Sequence, residues 1–277
     1  MISALDHVAL IVRDLDAAAA RYTALLGSAP NWHGADGGAS HVWFELDNMA
    51  LDIIAPIGPG LTGDQAQAHL DANGEGLWAI AYKTPDLDKA HHLLGRRGVE
   101  STAPFPLRST HVRTKEKRHW RMFSTTLAGV TTFMMEQKPA DPVWPRCEKL
   151  APSAITGLDH VVVRTPAPER AQAIYGARLG LDMRLDRTAP EWSARLMFFR
   201  CGDLIVEIAH DLRTEPHTGA DKLWGLTWRV DDIDGAHARL TGENFSLSEV
   251  RPGRRPGTRV FTVRDGTNEA PTLIIGA

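Results

Sequence analysis

Leu5-Asp6-His7-Val8-Ala9-Leu10-Ile11-Val12 and Leu158-Asp159-His160-Val161-Val162-Val163-Arg164-Thr165 open the two halves of a 277-residue chain in nearly the same way. Each reads as a buried strand, because short apolar runs bounded by polar residues fit a pleated sheet. A helix-spaced stretch follows each one, with Tyr22 and Tyr175 both 15 residues after their histidine. Gly27 and Gly180 both lie 20 residues after it, where glycine can take the left-handed conformation that ends a helix. Repetition at this spacing points to a duplicated strand-helix unit.

Fainter copies lie between these openings. Leu77-Trp78-Ala79-Ile80-Ala81-Tyr82 leads to Asp86-Leu87-Asp88, and Leu223-Trp224-Gly225-Leu226-Thr227-Trp228 leads to Asp232-Ile233-Asp234. The first unit carries the same trio as Asp14-Leu15-Asp16. Asp14, Asp86 and Asp232 are expected N-caps, since an Asp carboxylate accepts from the free amides of a first helical turn. Further strands are expected at 42–46 and 49–54, 120–124 and 131–136, 194–200 and 204–209, and 258–263 and 272–275. Turn residues at Asp47-Asn48, Gly202-Asp203 and Asp265-Gly266 separate the last two strands in three units. Each unit therefore reads βαβββ. Between the halves, Pro139, Pro142, Pro145 and Pro152 mark a stiff linker. The expected organisation is an N-terminal domain over 1–137, a Pro-rich linker over 138–156 and a C-terminal domain over 157–277.

Composition places the chain with globular proteins, at 43% hydrophobic and 23% charged residues, long enough for two domains with their own cores. A net charge of -3 gives no footprint for nucleic acid or an anionic membrane. No run approaches the roughly 18 apolar residues of a membrane span. The start lacks the pattern of a signal peptide, so cytoplasmic residence is the expectation. Cys147 and Cys201, one in each half, cannot build a disulfide framework or a cysteine zinc site and read as inert thiols. Nucleophile-elbow, Walker and dinucleotide motifs are missing.

A single βαβββ unit leaves one sheet face bare, and pairing two units makes a curved sheet around a groove with helices outside. The Asp-His-Val openings and Tyr…Leu-Gly helix endings resemble the vicinal oxygen chelate superfamily of glyoxalase, bleomycin-resistance and extradiol dioxygenase proteins. The resemblance covers almost the whole chain and is weakest in the second and fourth units. It implies an α+β fold of four βαβββ modules paired into two curved-sheet domains. It also implies a small-molecule substrate or ligand, with the chain a monomer or homodimer.

Metal-dependent members of that family take ligands from the first and last strands of a module. Carried onto this chain, the resemblance selects His7 with Asp52 and His160 with Glu207, pairs separated by 45 and 47 residues. Imidazole and carboxylate suit a divalent metal ion such as iron, manganese, nickel, cobalt or zinc. Ala79 and Gly225 hold the equivalent first-strand places in the other modules and cannot ligate. Consecutive pairing of modules gives two partial sites, whereas pairing the first module with the third would bring all four residues together. Glu136 is the candidate base. Trp78, Trp224 and Trp228 are candidate groove walls, as Trp43, Trp120 and Trp192 are in other strands. His111 and His119, within the basic run 110–121, are candidate rim contacts, with a solvated hairpin as the competing reading.

Three functions follow from the resemblance. The first is a metal-dependent lyase or isomerase acting through an enolate. The second is an extradiol-type ring-cleaving dioxygenase, which needs two histidines and a carboxylate around one iron in the second domain. The third is a metal-free protein that sequesters a hydrophobic ligand.

Overall fold

The computed structural model describes residues 1–138 and 143–277, so Pro139 and Pro142 of the expected linker lie outside the described residues. In the first half, β1 (Ala4–Ile11), β2 (Trp32–Asp36), β3 (Ala39–Glu45), β4 (Ala50–Pro56), β5 (Gly76–Thr84), β6 (Phe105–His111), β7 (Lys117–Leu127) and β8 (Val130–Glu136) form a closed barrel. Their order around it is β1-β4-β3-β2-β6-β7-β8-β5. Helices α1 (Leu15–Leu26), α2 (Leu61–Asn73) and α3 (Leu87–Arg96) connect them.

The second half repeats the plan with β9 (Gly157–Arg164), β10 (Asp182–Ala189), β11 (Ala194–Cys201), β12 (Leu204–Asp211), β13 (Lys222–Arg229), β14 (Arg251–Pro252), β15 (Arg259–Val263) and β16 (Thr272–Gly276). Here the eight strands stay an open sheet, ordered β10-β11-β12-β9-β13-β16-β15-β14. Helix α4 (Pro168–Gln172) continues as one wide turn of π-helix over Ala173–Arg178, and α5 is Ile233–Gly242.

First and last strands of each module run parallel: β1 with β4, β5 with β8, β9 with β12 and β13 with β16. Modules join through antiparallel first strands, β1 with β5 and β9 with β13. Modules therefore pair first with second and third with fourth, and the cross-paired four-ligand arrangement does not form.

The capping residues act as their chemistry dictates. Carboxylates of Asp14, Asp86 and Asp232 each accept from an amide three residues on, at 2.9 Å. Gly27 ends α1 in the left-handed region at φ 65°. Tyr22 and Tyr175 are buried in a single hydrophobic cluster that draws residues from both halves. Tyr22 reaches across to donate to the Thr267 carbonyl at 2.9 Å. Arg239 of α5 donates to the Ala24 and Leu25 carbonyls at the end of α1, so the halves pack through their helices.

Helix α2 was not expected from the sequence. It buries Ala66 and Leu70 against Ala9, Ile11, Ile54 and Ala79, packing against the barrel's inner residues. Its Gly63 lies so close to the Gly38 and Gly58 carbonyls that a Cβ there would overlap them. Among the described residues no helix is long and apolar enough to cross a membrane.

A candidate active site in the N-terminal barrel

Closure of the first eight strands encloses a cavity of about 650 Å³. Its apolar lining includes Trp43, Trp78, Trp120, Phe105, Phe133 and Met135. The polar groups among its lining include His7, His41, Asp52, Ser109 and His119, with the ion pair of Arg108 Nε and Asp36 at 2.6 Å. Apolar walls with a few convergent polar groups are the usual make-up of a small-molecule site.

His7 owes its setting to a β-bulge. Leu5 pairs with Tyr82 and His7 with Ala81, leaving Asp6 as the extra residue. A bulge re-aims side chains locally, and here it lets the Asp6 carboxylate meet His7 Nδ1 at 2.6 Å. Burial pushes Asp6 up, but the His7 hydrogen bond and the charges of His7 and Lys83 outweigh it and hold the carboxyl below its ordinary value. The same device recurs in the second half, where Asp159 is the extra residue between Leu158 and His160. Asp159 meets His160 Nδ1 at 2.9 Å, and His160, Arg255 and Arg229 overcome the cost of its burial to bring it down to about 2.

The two halves differ beyond this point. His7 packs its ring against Trp43, with centroids 4.8 Å apart, and its Nε2 makes no hydrogen bond among the described residues. His160 Nε2 instead meets Thr227 Oγ1 at 2.8 Å and Glu207 Oε2 at 3.5 Å. Burial raises Glu207 above the usual carboxylate range, partly offset by His160 and Arg254.

Asp52 is engaged by a residue that the sequence did not single out. His41 Nδ1 lies 2.8 Å from Asp52 Oδ1, and His41 Nε2 lies 2.7 Å from Ser109 Oγ. Trp32 Nε1 donates to the same hydroxyl at 2.8 Å. The Arg118 guanidinium is sandwiched at 4.0 Å from Trp32 and 4.1 Å from Trp144, and burial lowers it to about 10. Only the alternation of β3 hinted at His41; Ser109 and Trp32 lie on strands that the sequence reading omitted.

A metal ion needs donors that converge, and the described residues hold no group of three or more His, Cys, Asp or Glu side chains able to do so. His7 and Asp52 line one cavity, but Asp52 is hydrogen-bonded to His41. His160 and Glu207 meet without a third donor, because β13 supplies Gly225 and Thr227, and β16 (Thr272–Gly276) has no carboxylate. The donor set therefore does not fit the expected metal, nor the two histidines and carboxylate of an extradiol site.

The remaining candidate residues are placed as follows. Glu136 is not among the cavity residues; Arg121 holds it at 3.2 Å, Lys138 lies at 3.7 Å, and it receives the Leu87 amide of α3 at 3.5 Å. Trp228 is fully buried in the helix-facing core, because a bulge at Trp224 breaks the alternation on which its groove position rested. Trp224 lies under Arg164 at 3.9 Å in a second cleft of about 1230 Å³, between the halves. Trp78 lines both spaces and meets Phe133 edge-on at 5.4 Å. His111 caps its hairpin, its Nδ1 accepting from the Arg113 and Thr114 amides at 3.2 and 3.1 Å. His119 is exposed and lines the barrel cavity. Both cysteines are free, and burial pushes each thiol up to about 12.

Comparison with known proteins fits this architecture. Residues 5–180 match the family described as glyoxalase-like domain, and residues 159–262 match the glyoxalase/bleomycin resistance protein/dioxygenase superfamily. The ethylmalonyl-CoA/methylmalonyl-CoA epimerase of Cereibacter sphaeroides is 33% identical over 103 residues, 36% of this chain and 74% of the epimerase. A variant of 4-hydroxymandelate synthase from Streptomyces coelicolor superposes with a TM-score of 0.73 at 14% identity, covering 99% of this chain and 92% of that one. A hypothetical protein from Staphylococcus aureus superposes with a TM-score of 0.63 at 9% identity, over 99% of both chains. With well over half its length matched and its modules paired in the corresponding way, the chain belongs to the glyoxalase-like proteins of the vicinal oxygen chelate superfamily.

Proposed function

We propose that the N-terminal barrel takes a small, partly apolar, oxygenated substrate and moves a proton on the carbon beside its carbonyl, as an isomerase or lyase does. The observation that carries this is the Asp6–His7 pair in the cavity wall. A carboxylate that accepts from Nδ1 fixes the tautomer in which Nε2 is the basic nitrogen, and it stabilises the imidazolium formed when a proton arrives. The aromatic walls make the surroundings less polar and so strengthen that interaction. The likeness to an epimerase supports a reaction of this class. No step is assigned to a metal ion, since the donors do not converge.

The test uses protein dialysed against EDTA and verified metal-free. Proton NMR in D₂O follows exchange of the hydrogens beside the carbonyl of 2-oxobutyrate and phenylpyruvate. Exchange above the buffer rate is expected, falling by roughly 10²–10⁴-fold in His7→Gln, the usual worth of a positioned base. Equal exchange in the variant, or exchange that needs added divalent metal, would sink the proposal. The aromatic and methionine lining also supports a sequestering role. Quenching of the cavity tryptophans by these compounds without any exchange would favour that second reading.

A further inference from the structure

Asp52, His41 and Ser109 are linked in the hydrogen-bond order of an acid, a base and a nucleophile. The proton positions follow from the partners. An ionised Asp52 can only accept, so His41 Nδ1 donates to it across 2.8 Å. Neutral His41 Nε2 must then accept, and Ser109 Oγ–H donates to it across 2.7 Å. Trp32 Nε1–H fills a remaining lone pair of Ser109 at 2.8 Å. All three acid-base-nucleophile residues line the barrel cavity. The hydroxyl lies against Gly34, where a Cβ would overlap it.

From this geometry we propose that Ser109 is a nucleophile, and that the barrel cleaves esters with a small apolar acyl group by acyl transfer through Ser109. The activity is separate from proton transfer at His7 and does not depend on it. Triads of this kind are recognised by geometry and role, on unrelated folds and in any chain order. In the acylation step Ser109 Oγ bonds to the ester carbonyl carbon as its proton passes to His41 Nε2. The carbon–oxygen bond to the alcohol then breaks, and the alcohol leaves with the proton from His41. Water attacks the acyl-enzyme, gives one proton to His41, and releases the carboxylic acid as Ser109 is reprotonated. Asp52 holds the imidazole in the required tautomer throughout. The Trp32 indole donor fixes the orientation of Ser109 Oγ, and the aromatic walls select an apolar acyl group.

Labelling by a biotinylated alkyl fluorophosphonate, read by peptide mass spectrometry, tests the nucleophile directly. A stoichiometric adduct on Ser109 is expected. Hydrolysis of p-nitrophenyl butyrate should fall to the buffer rate in Ser109→Ala. Both labelling and hydrolysis should fall on the order of 10³-fold in His41→Gln and Asp52→Asn, the scale set by removing a triad member. Near-ultraviolet circular dichroism checks that each variant keeps its aromatic packing, and Asp52→Asn, which preserves the side chain's shape, serves if His41→Gln does not fold. His7→Gln should lose proton exchange yet still label at Ser109, which separates failure of this proposal from failure of the previous one. The proposal is overturned by a wild type that forms no Ser109 adduct, or by folded Asp52→Asn protein that labels at the wild-type rate.

Discussion

Replacing Gly34 by Ala adds one methyl group at the point where β2 meets β6. That methyl would overlap Ser109 Oγ and Trp32 Nε1 and stand 2.8 Å from His41 Nε2. Gly34 is not in the left-handed region, so alanine meets no backbone penalty and the cost is steric. Overpacking of this kind costs about 1–3 kcal/mol. The cheapest relief is rotation of the Ser109 hydroxyl, which breaks its bonds to His41 and Trp32 at about 1 kcal/mol each. Urea unfolding should therefore show a loss of about 2 kcal/mol. Combining Gly34→Ala with Ser109→Ala removes the most crowded atom, so the double variant should recover at least ~1 kcal/mol relative to additivity. Gly95→Ala is the control. It sits in α3 with open space around its Cβ position, and alanine there should gain roughly 0.5–1 kcal/mol. A Gly34→Ala protein within ~0.5 kcal/mol of wild type, or strict additivity with Ser109→Ala, would refute the packing described for the seam.

Arg170 donates to the wholly buried Asp221 carboxylate at 2.6 Å, alongside Thr165 Oγ1. Arg170→Leu should cost about 3–5 kcal/mol by stranding that charge, and adding Asp221→Asn should restore most of it in urea titrations. Arg239→Met removes charged hydrogen bonds to the last carbonyls of α1 and should cost about 2–3 kcal/mol; one calorimetric transition in the wild type and two in the variant would show that it ties the halves together. Glu207 has its folded-state value raised by burial, so the unfolded chain releases its proton first as pH rises. Stability is then lost as pH climbs from about 4.5 through the raised value. Glu207→Gln should be more stable than wild type at pH 7 and no different below pH 4, and equal stability at both pH values would contradict the assigned direction.

Repetition made the architecture legible. Two Asp-His-Val strands and three Asp-Leu/Ile-Asp caps record the same packing demand several times, and the observed caps bond as that demand requires. What the sequence hid is what tertiary contact alone sustains. Strand β2 has five residues including Gly34, β6 contains Pro106, and β10 exposes seven of its eight residues, so none carries an apolar alternation. Helix α2 rests on Ala66 and Leu70 and on the glycine contact of Gly63, too little for a periodic signal. The site followed the same rule. His7 and Asp52 could be placed along the cavity from alternation, but the His41–Ser109 hydrogen bond joins residues 68 positions apart and exists only once the barrel has closed.

Closure separates the two halves chemically as well as topologically. In the first half the seam is the pairing of Gly34 with His111 and Ala35 with Thr110. Trp32, Gly34, Ser109 and His111 all belong to the two seam strands, and His41 and Asp52 lie on the next two. In the second half the corresponding edges are β10, lined with Asp182, Arg184, Asp186 and Arg187, and β14, two residues ending in Pro252. Charges on one edge and a missing donor on the other oppose strand pairing, so that sheet stays open. His160 and Glu207 consequently face each other on an unenclosed sheet, while His7 and His41 face an aromatic chamber. The Asp-His bulge is common to both halves, and enclosure is what differs. Asp52 sets the tautomer of His41 from the neighbouring strand, and the hydrogen bond of His41 to Ser109 then reaches across to the seam strand β6. A substitution that loosens the β2–β6 seam should therefore alter chemistry at Ser109 before it alters the fold of the C-terminal sheet, and the two are separable by following Ser109 labelling and backbone hydrogen exchange on the same sample.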